Sequence, residues 1–272
     1  MKQRNRVTFF NILSTCLLYG ISIFTAPLFS RLLGTGGYGN LANYNVWVSV
    51  LAIAATLQTQ GTLVNARVEY PEEEQIKYQS SVMSLSFLVF LVVCLLVALF
   101  LDPISKGLHF SRFFIALVLF QAIGTYGVNF MNTKLTYELK AGRNMVLSVF
   151  TALSTLALSL VLVLALPREI NYYGRIIAIA AVYGILGLSL CGYIFFKGRT
   201  FFCAKYWRFC IPLAIPYVFY NLADLLLGHS DVVMLRQLSG DTVSGIYSMA
   251  FQFGTILFTI FGALNNTWVP FY

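Results

Sequence analysis

At 272 residues the chain is 58% apolar and only 10% charged, with a mean hydropathy of +0.77; soluble domains carry about 25% charged residues, so most of this surface must face lipid. The net charge of +8 comes from cations scattered among short connections, with no Lys/Arg cluster interleaved with aromatics, which excludes a nucleic-acid surface. Cys16, Cys94, Cys191, Cys203 and Cys210, with His109 and His229, match no metal-ligand spacing, so neither a metal site nor a cofactor is expected.

The basic start, Lys2-Gln3-Arg4-Asn5-Arg6, leads into a long apolar run without a small-x-small cleavage site. It reads as a retained first helix rather than a signal peptide. Apolar runs follow at 9–31, 43–64, 80–101, 112–132, 145–166, 174–196, 209–235 and 243–267, each long enough to cross about 30 Å of hydrocarbon at about 1.5 Å per residue. The expected fold is therefore all-α and polytopic, with eight transmembrane helices. Lys2, Arg4, Arg6, Arg67, Lys77, Lys134, Lys140, Arg143, Lys197, Arg199, Lys205 and Arg208 fall on one side of such an array. Arg31, Lys106, Arg112, Arg168, Arg175 and Arg236 fall on the other. The excess on the first side places the N-terminus in the cytoplasm. Glu72-Glu73-Glu74 after Pro71 reads as a solvated turn.

Several runs carry polar residues at helical spacing. The first has Asn11, Ser14, Ser22 and Thr25; the fourth has Gln121, Thr125, Asn129 and Asn132; the eighth has Ser248, Gln252, Thr255 and Thr259. The third and sixth are more uniformly apolar. Single Ser, Thr, Asn and Gln residues also serve as hydrogen-bonding glue between helices, but stripes on several helices point to a wet cavity lined by the first, fourth, seventh and eighth. In the seventh run Tyr217, Asn221, Asp224, Gly228 and Asp231 share one face. An ionised Asp at the bilayer midplane costs roughly 2.5–3.5 kcal/mol on insertion scales. Asp224 must then face water, pair with a cation or take up a proton, which suits a coupling-ion site. Asp231, further outward, is a second candidate for that ion or an anchor for the helix end. Pro27, Pro212 and Pro216 lie in or beside runs and favour kinks.

Two connections repeat about 205 residues apart. Arg31-Leu32-Leu33-Gly34-Thr35-Gly36-Gly37-Tyr38-Gly39 joins the first and second runs. Arg236-Gln237-Leu238-Ser239-Gly240-Asp241-Thr242-Val243-Ser244-Gly245-Ile246-Tyr247 joins the seventh and eighth. Allowing one inserted residue, both read Arg-x-Leu-small, a short polar turn, Gly, then a new apolar helix. Such a repeat marks a lobe built twice. The expected organisation is a six-helix N-terminal lobe over 1–200 and the first two helices of an incomplete second lobe over 201–272. Gly34 to Gly39 also satisfies G-x-G-x-x-G, but it has no strand–turn–helix context and reads as a tight helix connection. The stretch from Gly187 to Gly192 lacks the Lys-Ser/Thr of a phosphate-binding loop.

The basic start, the run ending Ala26-Pro27-Leu28-Phe29-Ser30-Arg31-Leu32-Leu33-Gly34 with Tyr38-Gly39, then Ile211-Pro212-Leu213-Ala214-Ile215-Pro216, Asp231-Val232-Val233-Met234-Leu235 and Gly245-Ile246-Tyr247, resemble bacterial polysaccharide-repeat-unit flippases. These belong to the multidrug/oligosaccharidyl-lipid/polysaccharide exporter superfamily. The resemblance spans essentially the whole chain and implies two six-helix lobes that rock about a central cavity in the bacterial inner membrane. The implied cargo is an undecaprenyl-diphosphate-linked oligosaccharide, moved to the outer leaflet by alternating access and driven by a proton or sodium gradient. The implied partners are that lipid-linked oligosaccharide, membrane lipid, and the polymerase and chain-length regulator of polysaccharide assembly. The lining would include Asn11, Ser14, Ser22, Thr25, Gln121, Thr125, Asn129, Asn132, Asn221, Gln252 and Thr255. Arg31, Arg67, Lys134 and Arg236, near span ends, are the candidates for diphosphate contact.

No Arg or Lys lies mid-span, which departs from the cation-rich cavities of lipid II flippases. Eight helices in place of twelve to fourteen imply a truncated copy that is transport-incompetent alone. The alternatives are a multidrug antiporter and a non-transporting scaffold of polysaccharide assembly. An enzyme of the same pathway would show a large outer loop or an acidic metal-binding motif, and neither is present.

Overall fold

The computed structural model describes residues 2–108, 111–168 and 170–254, and every regular element among them is helical. The elements are α1 (Lys2–Ala54), a single 3-10 turn (Thr59–Thr62), α2 (Leu63–Glu69), α3 (Glu72–Leu99), α4 (Leu101–Leu108), α5 (Arg112–Tyr137), α6 (Ala141–Ala165), α7 (Asn171–Gly198) and α8 (Ala204–Gly254). Stretches of α1, α3, α5, α6, α7 and α8 are long and apolar enough to cross a bilayer. The chain is an all-helical, multi-pass membrane protein.

Two of those stretches, Phe9–Ala54 and Ala204–Phe251, run 46 and 48 residues. At about 1.5 Å per residue that is roughly 70 Å, about twice the hydrocarbon of a bilayer. Each is interrupted once by a glycine in the left-handed region with extended ψ: Gly34 (φ 70°, ψ 172°) and Gly240 (φ 84°, ψ 176°). Only glycine takes up this conformation without strain. The first and second apolar runs thus flank Gly34, and the seventh and eighth flank Gly240. The eighth run extends beyond the described residues after Gly254.

The second apolar run, expected as one continuous helix, is broken. α1 stops at Ala54, its ladder closes with Ala55 N donating to Leu51 O at 2.8 Å, and Leu57 (φ 52°) and Gln58 (φ 46°) turn left-handed. The local cause is the polar string Thr56-Leu57-Gln58-Thr59-Gln60-Gly61-Thr62. Its hydroxyls and amides compete for main-chain partners, and Gly61 weakens the helix further. Glu72, Glu73 and Glu74, expected in a turn, instead form the first turn of α3, where carboxylates favour the positive end of the helix dipole.

The chain folds as two units, each with its own core. The first comprises Met1–Asn45, Lys134–Val182 and His229–Tyr272; the second comprises Val46–Thr133 and Tyr183–Gly228. In the first unit Phe29, Tyr44, Ile176 and Val232 are buried. In the second, α5 and α7 cross on glycines. A Cβ on Gly124 or Gly187 would run into the main chain of the other helix, and one on Gly127 would sit 2.8 Å from Cys191 Sγ. Small residues let membrane helices approach this closely, which is the role of Gly187. The start of α8 docks on α3: Trp207 Nε1 donates to Ser81 O at 2.9 Å, Tyr206 Oη donates to Glu74 Oε2 at 3.2 Å, and Tyr70, Tyr78, Tyr206 and Phe209 pack edge to face. Further along α3, Leu88, Leu91, Leu95 and Leu99 are exposed, as a lipid-facing surface requires.

Candidate functional site

The two repeated turns meet in the first unit. A Cβ built on Gly39 would overlap Asp241 O, and one built on Gly245 would overlap Thr35 O. Each would lie 3.1 Å from the other glycine's amide nitrogen. Thr35 and Asp241 each follow the left-handed glycine by one position, and Gly39 and Gly245 by five, so the contact is an exchange between equivalents, as at a two-fold axis. The structural register pairs Gly34 with Gly240. Arg31 is exposed. Arg236, 15% exposed, donates from Nε to Asp241 Oδ1 at 2.6 Å and from Nη2 to Asn40 Oδ1 at 3.0 Å, tying one turn to the other. Asn171 Nδ2 donates to Leu32 O at 2.6 Å, and the Arg175 guanidinium lies 3.8 Å over the Phe29 ring.

Because Arg236 spans both turns with a planar fork, Arg236→Ala is expected to destabilise the protein by about 1–2 kcal/mol, and Arg236→Lys to recover only part of it. Thermal unfolding of the detergent-solubilised protein measures both. Equal melting of Arg236→Ala and wild type would show that the clasp contributes nothing.

In the second unit the break after α1 is the centre of a buried polar network. Thr59 Oγ1 lies 2.8 Å from Ser86 Oγ and 2.7 Å from Tyr126 Oη. Ser86 Oγ donates to Thr56 O at 2.7 Å. A carbonyl only accepts, so the proton order is determined: Tyr126 donates to Thr59, Thr59 to Ser86, and Ser86 to the main chain. By the same logic Thr62 Oγ1 donates to Thr59 O at 2.8 Å and accepts from Tyr78 Oη at 2.7 Å. Ser86 and Tyr126 are each the fifteenth residue of their helices, α3 of 28 residues and α5 of 26, which places the network at mid-helix. Tyr217 of α8 lays its ring against Gly61, where an added Cβ would sit 2.9 Å from the ring's Cζ, and Cys210 Sγ lies 3.7 Å from Thr62 Oγ1.

Of the expected lining residues, Asn11, Ser14, Ser22 and Thr25 are placed on the first half of α1, where Ser22 and Thr25 line the same turn, with Thr25 Oγ1 donating to Ser22 O at 3.1 Å. Thr25 also borders an apolar groove of about 410 Å³ formed by α1 and α6. These belong to the first unit. Gln121 is buried, Thr125 and Asn132 are half-buried and Asn129 is exposed, all on α5 in the second unit. Asn221 on α8 is half-buried and donates to Tyr217 O at 2.6 Å. Asp224 is exposed. Asp231, in the first unit, accepts from Tyr247 Oη at 2.7 Å. Arg67 is exposed; Lys134 is buried, with its ammonium 3.9 Å from Glu138 Oε1. Thr255 and the side chain of Gln252 lie outside the described residues. Thr56, Gln58, Thr59, Gln60, Ser86 and Tyr126 are not among the residues expected from the sequence. The string of polar residues at 56–62 is the available signal, masked by the apolar run that contains it.

The fold is shared with one solved structure, protein A, at a TM-score of 0.72 and 13% sequence identity, over 99% of this chain and 64% of that one. The chain thus spans about two thirds of the length of that protein. No curated protein matches the sequence. The sequence does match one protein family, described as polysaccharide biosynthesis protein, over residues 6–272. With that match running over nearly every residue, the paired-turn chain belongs to the polysaccharide biosynthesis protein family.

Proposed function

We propose that this chain works within a flippase that carries undecaprenyl-diphosphate-linked oligosaccharide repeat units from the cytoplasmic to the outer leaflet of the bacterial inner membrane. The observation that carries the reading is the exchange between the Gly34–Gly39 and Gly240–Gly245 turns. It supports reading the two turns as the starts of equivalent lobes, and a pair of equivalent lobes is what alternating access needs. Family membership supports the pathway. Counting a crossing on each side of Gly34 and Gly240 makes eight crossings, and the Lys/Arg asymmetry puts the N-terminus in the cytoplasm. The paired turns then close the outer side, and release of cargo requires Gly39 and Gly245 to part.

A hydrated sugar head cannot cross hydrocarbon unaided, so polar side chains must replace its water. Arg31, Arg67, Lys134 and Arg236 supply cations for the diphosphate as it enters or leaves. Asp224 takes the coupling ion. The deciding experiment is photocrosslinking of a polyprenyl-diphosphate oligosaccharide to the membrane-embedded protein. Labelling competed by unlabelled lipid-linked sugar and not by cationic drugs is expected; labelling displaced by drugs alone would overturn the assignment in favour of an antiporter. In a full-length context, Asp224→Asn is expected to abolish or uncouple flipping with membrane insertion intact. Flipping unchanged at every pH would remove Asp224 from the mechanism.

A further inference from the structure

The break after α1 leaves one buried amide oxygen without a donor. Gln58 Nε2 donates to Ala52 O at 3.4 Å. Since that carbonyl can only accept, the Gln58 amide is oriented, its Oε1 faces the other way, and Gln60 Nε2 donates to it. The Gln60 orientation follows in turn and leaves Gln60 Oε1 as the end of the chain. Gln60 is 7% exposed, and its Oε1 is buried without a hydrogen-bond partner. Gln60 lies six residues beyond Ala54 and is linked through the Gln58 amide to Ala52 O at the end of α1, where main-chain carbonyls lose their i+4 partners and the helix dipole is negative. Tyr217 covers the adjacent Gly61. A buried amide oxygen with no donor costs about 1–3 kcal/mol. Two consecutive non-glycine residues in the left-handed region, Leu57 and Gln58, add strain to the same few residues.

We propose that this break holds a sodium- or potassium-sized monovalent cation, ligated by Gln60 Oε1 and main-chain carbonyls at the end of α1. Broken membrane helices bind cations in this way, through unwound carbonyls and half-helix C-terminal ends. The side chains that build the break, Thr56, Gln58, Thr59, Gln60 and Thr62, are all neutral. Divalent sites rely on carboxylates to balance the charge, whereas neutral oxygens match a single positive charge. The site stands on its own geometry and does not depend on the cargo proposed above.

The test is thermal unfolding of the purified full chain in detergent in sodium, potassium or choline chloride at equal ionic strength, with binding of radioactive sodium measured in parallel. One of the two small cations is expected to raise the melting temperature saturably, by roughly 2–4 °C over choline. Gln60→Leu is expected to abolish that dependence, and Gln60→Asn, which keeps a neutral amide but shortens its reach, to weaken it. Identical melting of the wild type in all three salts would mean an ordered water only and would overturn the proposal. So would an undiminished cation effect in Gln60→Leu. Should Gln60→Leu fail to fold, the wild-type titration and Gln60→Asn decide: a cation effect in Gln60→Asn at the wild-type affinity overturns it, and a weakened one beside saturable sodium binding by the wild type supports it.

Discussion

Gly245→Leu is expected to prise the two turns apart, destabilising the first unit by about 3 kcal/mol, because a side chain there has nowhere to go. The obstructing atom is the Thr35 main-chain carbonyl oxygen, with Gly39 N 3.1 Å from the added Cβ. Neither can rotate aside as a flexible side chain would. Gly39→Leu should match it, since it meets Asp241 and Gly245 in the mirror arrangement. Both substitutions break one contact, so the double variant should cost little more than either alone, a non-additivity that a double-mutant cycle reads directly. Gly36 is the internal control. It lies in the same turn with nothing within 4 Å of its added Cβ, and Gly36→Ala should be neutral or slightly stabilising through helix propensity. Melting of Gly245→Leu at the wild-type temperature would dissolve the paired-turn account, and with it the two-lobe reading of function.

Tyr126→Ala is expected to be the most damaging substitution in the second unit, at about 3–5 kcal/mol. Tyr126 is 1% exposed and its ring packs against Phe130 at 5.7 Å between centroids. Removing the ring leaves a cavity at mid-helix and takes away the donor at the head of the Tyr126–Thr59–Ser86 relay. Tyr126→Phe separates the two contributions. It keeps the volume and loses only the hydroxyl, so it should cost about 0.6–1.7 kcal/mol, the range of interhelical hydrogen bonds inside membranes. Denaturation of both variants in the same detergent gives the ratio. Equal losses would mean that the hydroxyl, through the break it supports, matters as much as the packed ring.

The cysteines and the G-x-G-x-x-G string show how far composition reaches and where it stops. Cys191 and Cys210 are buried, as small apolar residues are, whereas Cys94 and Cys203 are half-buried and Cys16 is exposed. Gly34 and Gly39 of the string are explained by a left-handed turn and a main-chain crossing. Helices α3, α5, α6 and α7 are readable from apolar runs because a bilayer offers the main chain no partner but itself, so each segment closes its own hydrogen bonds. The repeat is readable for a related reason: a left-handed position and a close approach both demand glycine, and glycine recurs at both places.

Local composition leaves other features undecided. The interruption at 55–62 sits inside a run whose average remains apolar, and it persists because Ser86, Tyr78 and Tyr126, far along the chain, complete its hydrogen bonds. Arg31 and Arg236 look alike in the string of letters; only the meeting of the turns shows one exposed and the other clasping Asn40 to Asp241. Where helices form in lipid is a question each segment answers alone, from its own apolar content and main chain. Which glycine faces which carbonyl, and which amide is left holding an unused oxygen, depends on neighbours supplied from distant parts of the chain, and only packing brings them together.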